Sequence, residues 1–202
     1  MNAGTLRAFV AAPLPGAATE ALGRLAARLE QAGLRGRWVP PGNIHLTFHF
    51  LGDVPLADVD PLAAALERAA RDAAPIRLAP SGLGVFPRPQ RARVLWVGLG
   101  GELDRLGILQ RRVETELARL GHAPEGRAWT AHLTLARARG EFDAQRLARI
   151  LQTHATLEVP AFQIDSLVLF RSDLGPGGAR YTPLARAVLG RDPGPHATGG
   201  GS

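Results

Sequence analysis

The chain has 202 residues, 46% of them apolar, and a formal net charge of +6; that is enough to bury a core, and without an 18-residue apolar run it offers no candidate membrane span. It has no cysteine, which excludes disulfides, thiolate metal sites and cysteine nucleophiles. All 24 basic residues are arginine, which excludes lysyl-adenylate, Walker-lysine and Schiff-base chemistry.

Guanidinium forks suit phosphate and a basic chain attracts polyanions, so nucleic acid or nucleotide is the expected partner class. The start, Met1-Asn2-Ala3-Gly4, runs into a strand-like segment rather than a signal-peptide core, and a soluble cytoplasmic protein is expected.

In chain order, Leu6 to Ala12 reads as a buried strand ended by Pro13-Leu14-Pro15. Glu20 to Ala32 has helical spacing, with Leu22, Leu25 and Leu29 on one face and Gly33 as its stop. Trp38 lies in a turn-rich approach, where it can pack on the core or stack on a base. Ile44 to Leu51 is a strand closed by Gly52-Asp53, Asp58 to Ala74 an Ala-rich helix, and Ile76 to Val85 a strand loosened at Gly82 and Gly84. Phe86-Pro87-Arg88-Pro89-Gln90-Arg91 is a proline-punctuated basic loop; it is a solvated connector, or Arg88, Arg91 and Arg93 touch an RNA backbone. A strand over Arg93 to Leu99, a helix over Gly101 to Leu120, and a strand over Ala131 to Ala138 then repeat the earlier order. His122, after Gly121, is expected in a solvent-exposed loop. Phe142 to His154 is a helix whose last residue, His154, suits the negative end of the helix dipole. Phe162 to Phe170 and Tyr181 to Leu189 are two further strands, joined by a mobile hairpin-like connection at Gly175 to Gly178. Residues 190–202 read as a disordered tail, in which His196 is not a site residue.

A single His-x-Thr on a strand is commonly structural. Here His45-Leu46-Thr47 returns as His132-Leu133-Thr134, and the same offset of 87 carries Phe9 onto Trp96. This implies an internal duplication, with pseudo-repeats at about 6–86 and 93–189 of one domain spanning 1–189. Strand alternation sets His45 and Thr47 on one face and Leu46, Phe48 and Phe50 on the other, toward a core. His49 shares the parity of His45 and could face the same cleft. An imidazole beside a hydroxyl is a proton-transfer group beside a hydrogen-bond donor, and two such pairs could flank one reacting phosphorus. No Gly-x-Gly-x-x-Gly follows the first strand, and both motifs fall in mid-strand. The expected class is therefore α+β rather than doubly wound: a bilobal duplicated fold, two antiparallel-type sheets facing a central cleft, with helices on the outer faces.

Leu6 to Ala11, Trp38-Val39-Pro40, His45-Leu46-Thr47-Phe48 with Phe50-Leu51-Gly52, and His132-Leu133-Thr134-Leu135-Ala136-Arg137 together resemble the RNA 2′,3′-cyclic phosphodiesterases, also called 2′-5′ RNA ligases, of the two-histidine phosphoesterase superfamily. The resemblance covers Leu6 to about Leu189. It implies a metal-free, cofactor-free central basic cleft. His45 would be the proton donor to a leaving 3′ oxygen and His132 the proton acceptor from water, roles that could be reversed. Thr47, Thr134 and Arg137 would hold phosphate oxygens. Strict parity puts Arg137 opposite His132, so its role requires a bulge, the strand end, or a side chain reaching round. The implied partner is RNA or a nucleotide with a 2′,3′-cyclic phosphate end, hydrolysed to a 2′-phosphate; no protein partner is implied, and a monomer is expected. The reverse reaction would join a 5′-hydroxyl without ATP. Small cyclic nucleotides or 2′-5′ oligonucleotides as substrates, and a non-catalytic RNA-binding domain, are the alternatives.

Overall fold

The computed structural model describes residues 4–124, 126, 128–154, 157–175 and 178–190. Nine strands are present among them: β1 Thr5–Pro13, β2 Arg37–Trp38, β3 His45–Pro55, β4 Ile76–Phe86, β5 Val94–Gly101, β6 His132–Arg137, β7 Phe162–Ile164, β8 Ser166–Gly175 and β9 Gly178–Val188. The four helices are α1 Gly16–Gln31, α2 Val59–Ala70, α3 Leu103–Ala118 and α4 Ala144–Thr153.

Alternation is cleanest in β1 and β5. Leu6, Ala8, Val10 and Ala12 join the main core, as do Leu95, Val97 and Leu99, so Arg7, Phe9 and Ala11, and Val94, Trp96 and Gly98, take the opposite face. The core-facing side is covered by the apolar stripes of the helices, including Leu22, Leu25 and Leu29 of α1, Leu62 and Leu66 of α2, and Leu106, Leu109 and Val113 of α3. Each such side chain contributes about 1.5–3 kcal/mol by leaving water.

The strands form one antiparallel sheet in the order β7-β4-β5-β6-β3-β1-β8-β9, with β2 pairing β6. It has two wings, β3-β1-β8-β9 and β6-β5-β4-β7, which meet at the register pair Leu46 and Leu133. The two sheets expected to face a cleft are thus halves of one continuous sheet. Leu46 and Leu133 are themselves 87 residues apart, so the axis relating the two motifs passes between them. β4, from the first half of the chain, pairs with β5 of the second, while β8, from the second half, pairs with β1 of the first.

One expected strand, Phe162 to Phe170, is two. β7 pairs with β4 in one wing and β8 with β1 in the other, so the chain changes wings at Asp165. That residue is held there: its carboxylate accepts from Ser166 Oγ at 2.8 Å and from Arg186 at 3.3 Å, and its carbonyl accepts from the Leu189 N–H. Gly190, placed at the start of the tail, donates its N–H to the Ala70 carbonyl at 3.1 Å. The rest of the expected tail, with His196, lies outside the described residues, as do residues 176 and 177 of the β8–β9 connection. No helix among the described residues is long and apolar enough to cross a membrane.

Candidate active site

β3 and β6 run antiparallel where they touch, and the register through Leu46 and Leu133 sets His45 opposite Thr134 and His132 opposite Thr47. Each motif thereby faces the other across the axis. Both imidazoles are anchored alike: Nδ1–H of His45 donates to the Asn43 carbonyl at 2.7 Å, and Nδ1–H of His132 donates to the Thr130 carbonyl at 2.8 Å. A carbonyl can only accept, so the proton sits on Nδ1 and leaves each Nε2 with a lone pair and no protein partner among the described residues. Asn43 and Thr130 are again 87 apart, a spacing that makes these anchors findable in the sequence.

Aromatic rings wall both histidines. Phe9 lies 4.9 Å from the His45 ring and Tyr181 meets it edge-on at 5.3 Å. Around His132, Phe86 is edge-on at 5.0 Å and Trp96 lies 6.0 Å away. Trp129 ties the two motifs together, donating its indole N–H to the Thr47 carbonyl at 3.1 Å while its ring stacks on Phe48. Asn43 links the site to the β8–β9 hairpin through its amide, which donates to the Ala179 carbonyl at 2.8 Å. Tyr181, Phe86 and Trp129 carry no signal in the sequence, because each reaches the site from a strand or loop remote from the motif copy it contacts.

Two bulges decide the remaining placements. In β6, Leu95 pairs with Ala136 and Trp96 with Thr134, leaving Leu135 as an extra residue. In β3, Val10 pairs with His49 and Ala11 with Thr47, leaving Phe48 extra. Leu135 and Phe48 are mates under the 87-residue offset, and each bulge flips the parity of the residues beyond it. Arg137 is thereby returned to the face of His132 and Thr134, so the parity obstacle is removed by the bulge. His49 is turned into the core, where it is only 4% exposed, and Phe50 is turned out to 55% exposure. Both expectations from strict alternation, His49 toward the cleft and Phe50 toward the core, are therefore corrected.

Burial is the main cause that pushes His45 from 6.5 down to about 4; the Asn43 carbonyl opposes it, and the charges of His132 and Arg137 add to it. His132 is lowered by burial first, with the Thr130 carbonyl opposing and Arg137 adding. Both rings are accordingly neutral near pH 7 in the free protein. Tyr181 is raised by burial, with Arg137 and Arg7 pulling the other way.

The other candidates fall elsewhere. Trp38 packs against the core. Arg91 and Arg93 pair with Glu141 at 3.2 and 3.7 Å. His122 is half-buried rather than exposed, its N–H donating to the Leu117 carbonyl beyond α3. His154 caps α4, with Nδ1 3.1 Å from the Ile150 carbonyl. No group of three His, Cys, Asp or Glu side chains that could hold a metal ion occurs among the described residues.

The family model for LigT-like phosphoesterases matches residues 12–96 and 99–181. The RNA 2′,3′-cyclic phosphodiesterase of Methanothermobacter thermautotrophicus is 30% identical over 179 residues, covering 89% of this chain and 96% of that protein. The crystal structure of TT0787 of Thermus thermophilus superposes with a TM-score of 0.74 at 28% identity, covering 91% of this chain and 98% of that one. Escherichia coli LigT complexed with 3′-AMP superposes with a TM-score of 0.70 at 26% identity, covering 93% and 99%.

Proposed function

This chain belongs to the family of LigT-like phosphoesterases, and on that premise we propose that it is an RNA 2′,3′-cyclic phosphodiesterase working through His45 and His132. The observation that carries the residue assignment is the matched anchoring: two Nδ1 atoms held by backbone carbonyls, with both Nε2 atoms left to exchange protons.

In the proposed reaction, His132 Nε2 takes a proton from water as the water oxygen bonds to phosphorus. The bond from phosphorus to the 3′ oxygen breaks, His45 gives that oxygen a proton, and a 2′-phosphate with a free 3′-hydroxyl remains. Such proton transfers contribute ~10²–10⁴-fold. Thr47, Thr134 and Arg137 are assigned to the non-bridging oxygens, where charge grows in the five-coordinate transition state. His45 is neutral in the free site, so its acid form depends on the bound phosphate anion, whose charge offsets the burial that disfavours the imidazolium. With a 5′-hydroxyl in place of water, the same steps form a 2′-5′ phosphodiester without ATP. The proposal extends to a single unit over 1–189 acting as a monomer without a protein partner, in the cytoplasm.

Turnover of a nucleoside 2′,3′-cyclic phosphate in excess EDTA, with the product identified by phosphorus NMR, tests this reading. Sustained turnover to the 2′-phosphate is expected. Mainly 3′-phosphate would reverse the placement of the acid, and loss on chelation with rescue by a divalent ion would sink the metal-free mechanism.

A further inference from the structure

Mates under the 87-residue offset are alike at His45 and His132, at Thr47 and Thr134, and in both being aromatic at Phe9 and Trp96. Farther out they diverge: Phe50 stands where the second half has Arg137, and Arg7 stands where it has Val94. A cation is thus placed near the axis on one wing and far from it on the other.

We propose that the β3-β1-β8-β9 wing carries a second subsite, in which Arg7 binds the phosphodiester on the 5′ side of the reacting nucleotide and Phe50 floors the gap between Arg7 and the histidines. This rests on the phosphodiesterase reading and narrows its substrate class to RNA ends longer than one nucleotide.

β1 has no bulge of its own, so Arg7 shares the face of Phe9, whose ring touches His45 at 4.9 Å. Arg7 lies two residues before Phe9 on the strand, which places it about 6.6–6.8 Å farther along that face. Phe50 pairs with Phe9 in the register, lies 6.2 Å from it ring to ring, and is 55% exposed. An exposed aromatic next to a cation is a surface on which a base can stack while its backbone phosphate is neutralised. Arg7 is exposed and makes no ion pair among the described residues, although Asp53 lies opposite it. The charges of Arg7 and Arg137 both act on the Tyr181 hydroxyl, so both cations lie within electrostatic reach of the site that Tyr181 walls. Val94 offers no cation at the matching level of the other wing, which gives the bound strand one polarity.

The test compares kcat/KM for a nucleoside 2′,3′-cyclic phosphate with that for a trinucleotide ending in the same group, over a range of salt. One charge-assisted phosphate contact favours the trinucleotide by about tenfold or more. It also steepens the dependence of log kcat/KM on log salt by about 0.7. Arg7→Gln removes most of the preference and the added slope; Phe50→Ser reduces the preference and leaves the slope. Equal kcat/KM for both substrates in the wild type, or an undiminished preference in Arg7→Gln, overturns the subsite while the phosphodiesterase reading stands. Turnover of neither substrate refutes that reading, and the subsite with it.

Discussion

A neutral imidazole is ready to act as a base and must be charged before it can act as an acid, and burial leaves both His45 and His132 short of protons in the free site. Because kcat/KM reports the free enzyme and kcat the bound one, the two pH profiles should differ. Both limbs of the kcat/KM bell are expected below pH 6.5, the one set by His45 toward about 4. Those of kcat should lie higher, since a bound phosphate anion favours both imidazoliums. A basic kcat/KM limb above pH 7 would contradict this electrostatic reading. Thr47→Ala and Thr134→Ala, measured as kcat/KM, should each cost on the order of 1–3 kcal/mol of transition-state stabilisation. The residues up to Thr47 and Thr134 were legible because simple alternation holds that far. His49, Phe50 and Arg137 lie just beyond the bulges, where counting by twos gives the wrong face. His49 is a core residue, so His49→Ala should appear as a stability loss of about 0.5–3 kcal/mol in urea unfolding, with little change in turnover.

Among the elements, β4 shows how a strand shapes the site without supplying a motif residue. Gly84 pairs with Trp96, and a Cβ there would run into the indole ring, which lies across the glycine beside Phe86 and His132. Gly84→Ala must displace that ring, an overpacking change that costs about 1–3 kcal/mol. It should also lower kcat by loosening the wall around His132; urea unfolding and steady-state kinetics check both, and an unchanged midpoint with wild-type kcat would contradict it. The sequence shows Gly84 only as a loosening of the strand, because the reason for the glycine is a ring on the neighbouring strand. The break at Asp165 was hidden in the same way. β7 and β8 each have strand-like composition, and what separates them is the partner each pairs with.

At the scale of the whole molecule, the two halves exchange strands, β4 completing one wing and β8 the other, while the motif strands meet at Leu46 and Leu133. The offset of 87 made the duplication and the helix-covered α+β class readable, but equal spacing along the chain carries no sign of which wing a strand joins. Holding two neutral histidines between these wings ties stability to pH. The folded pKa of His45 is depressed, so between pH 6.5 and about 4 the unfolded chain binds more protons than the folded one. His45's contribution is intact above pH 6.5 and is lost as pH falls toward about 4, with His132 acting in the same direction. Urea unfolding at pH 7 and pH 5 should therefore show a smaller loss for His45→Gln than for wild type, and equal losses would contradict the assignment. The central claim is that each half delivers one histidine to a single reacting phosphorus. An acid and a base that act in one transition state are not additive. The most direct measurement is kcat/KM on a nucleoside 2′,3′-cyclic phosphate for His45→Ala, His132→Ala and the double variant, each confirmed folded by circular dichroism. Most turnover should vanish in either single variant, with the double little worse; near-wild-type turnover in either single variant, or losses that simply multiply, would contradict the shared site.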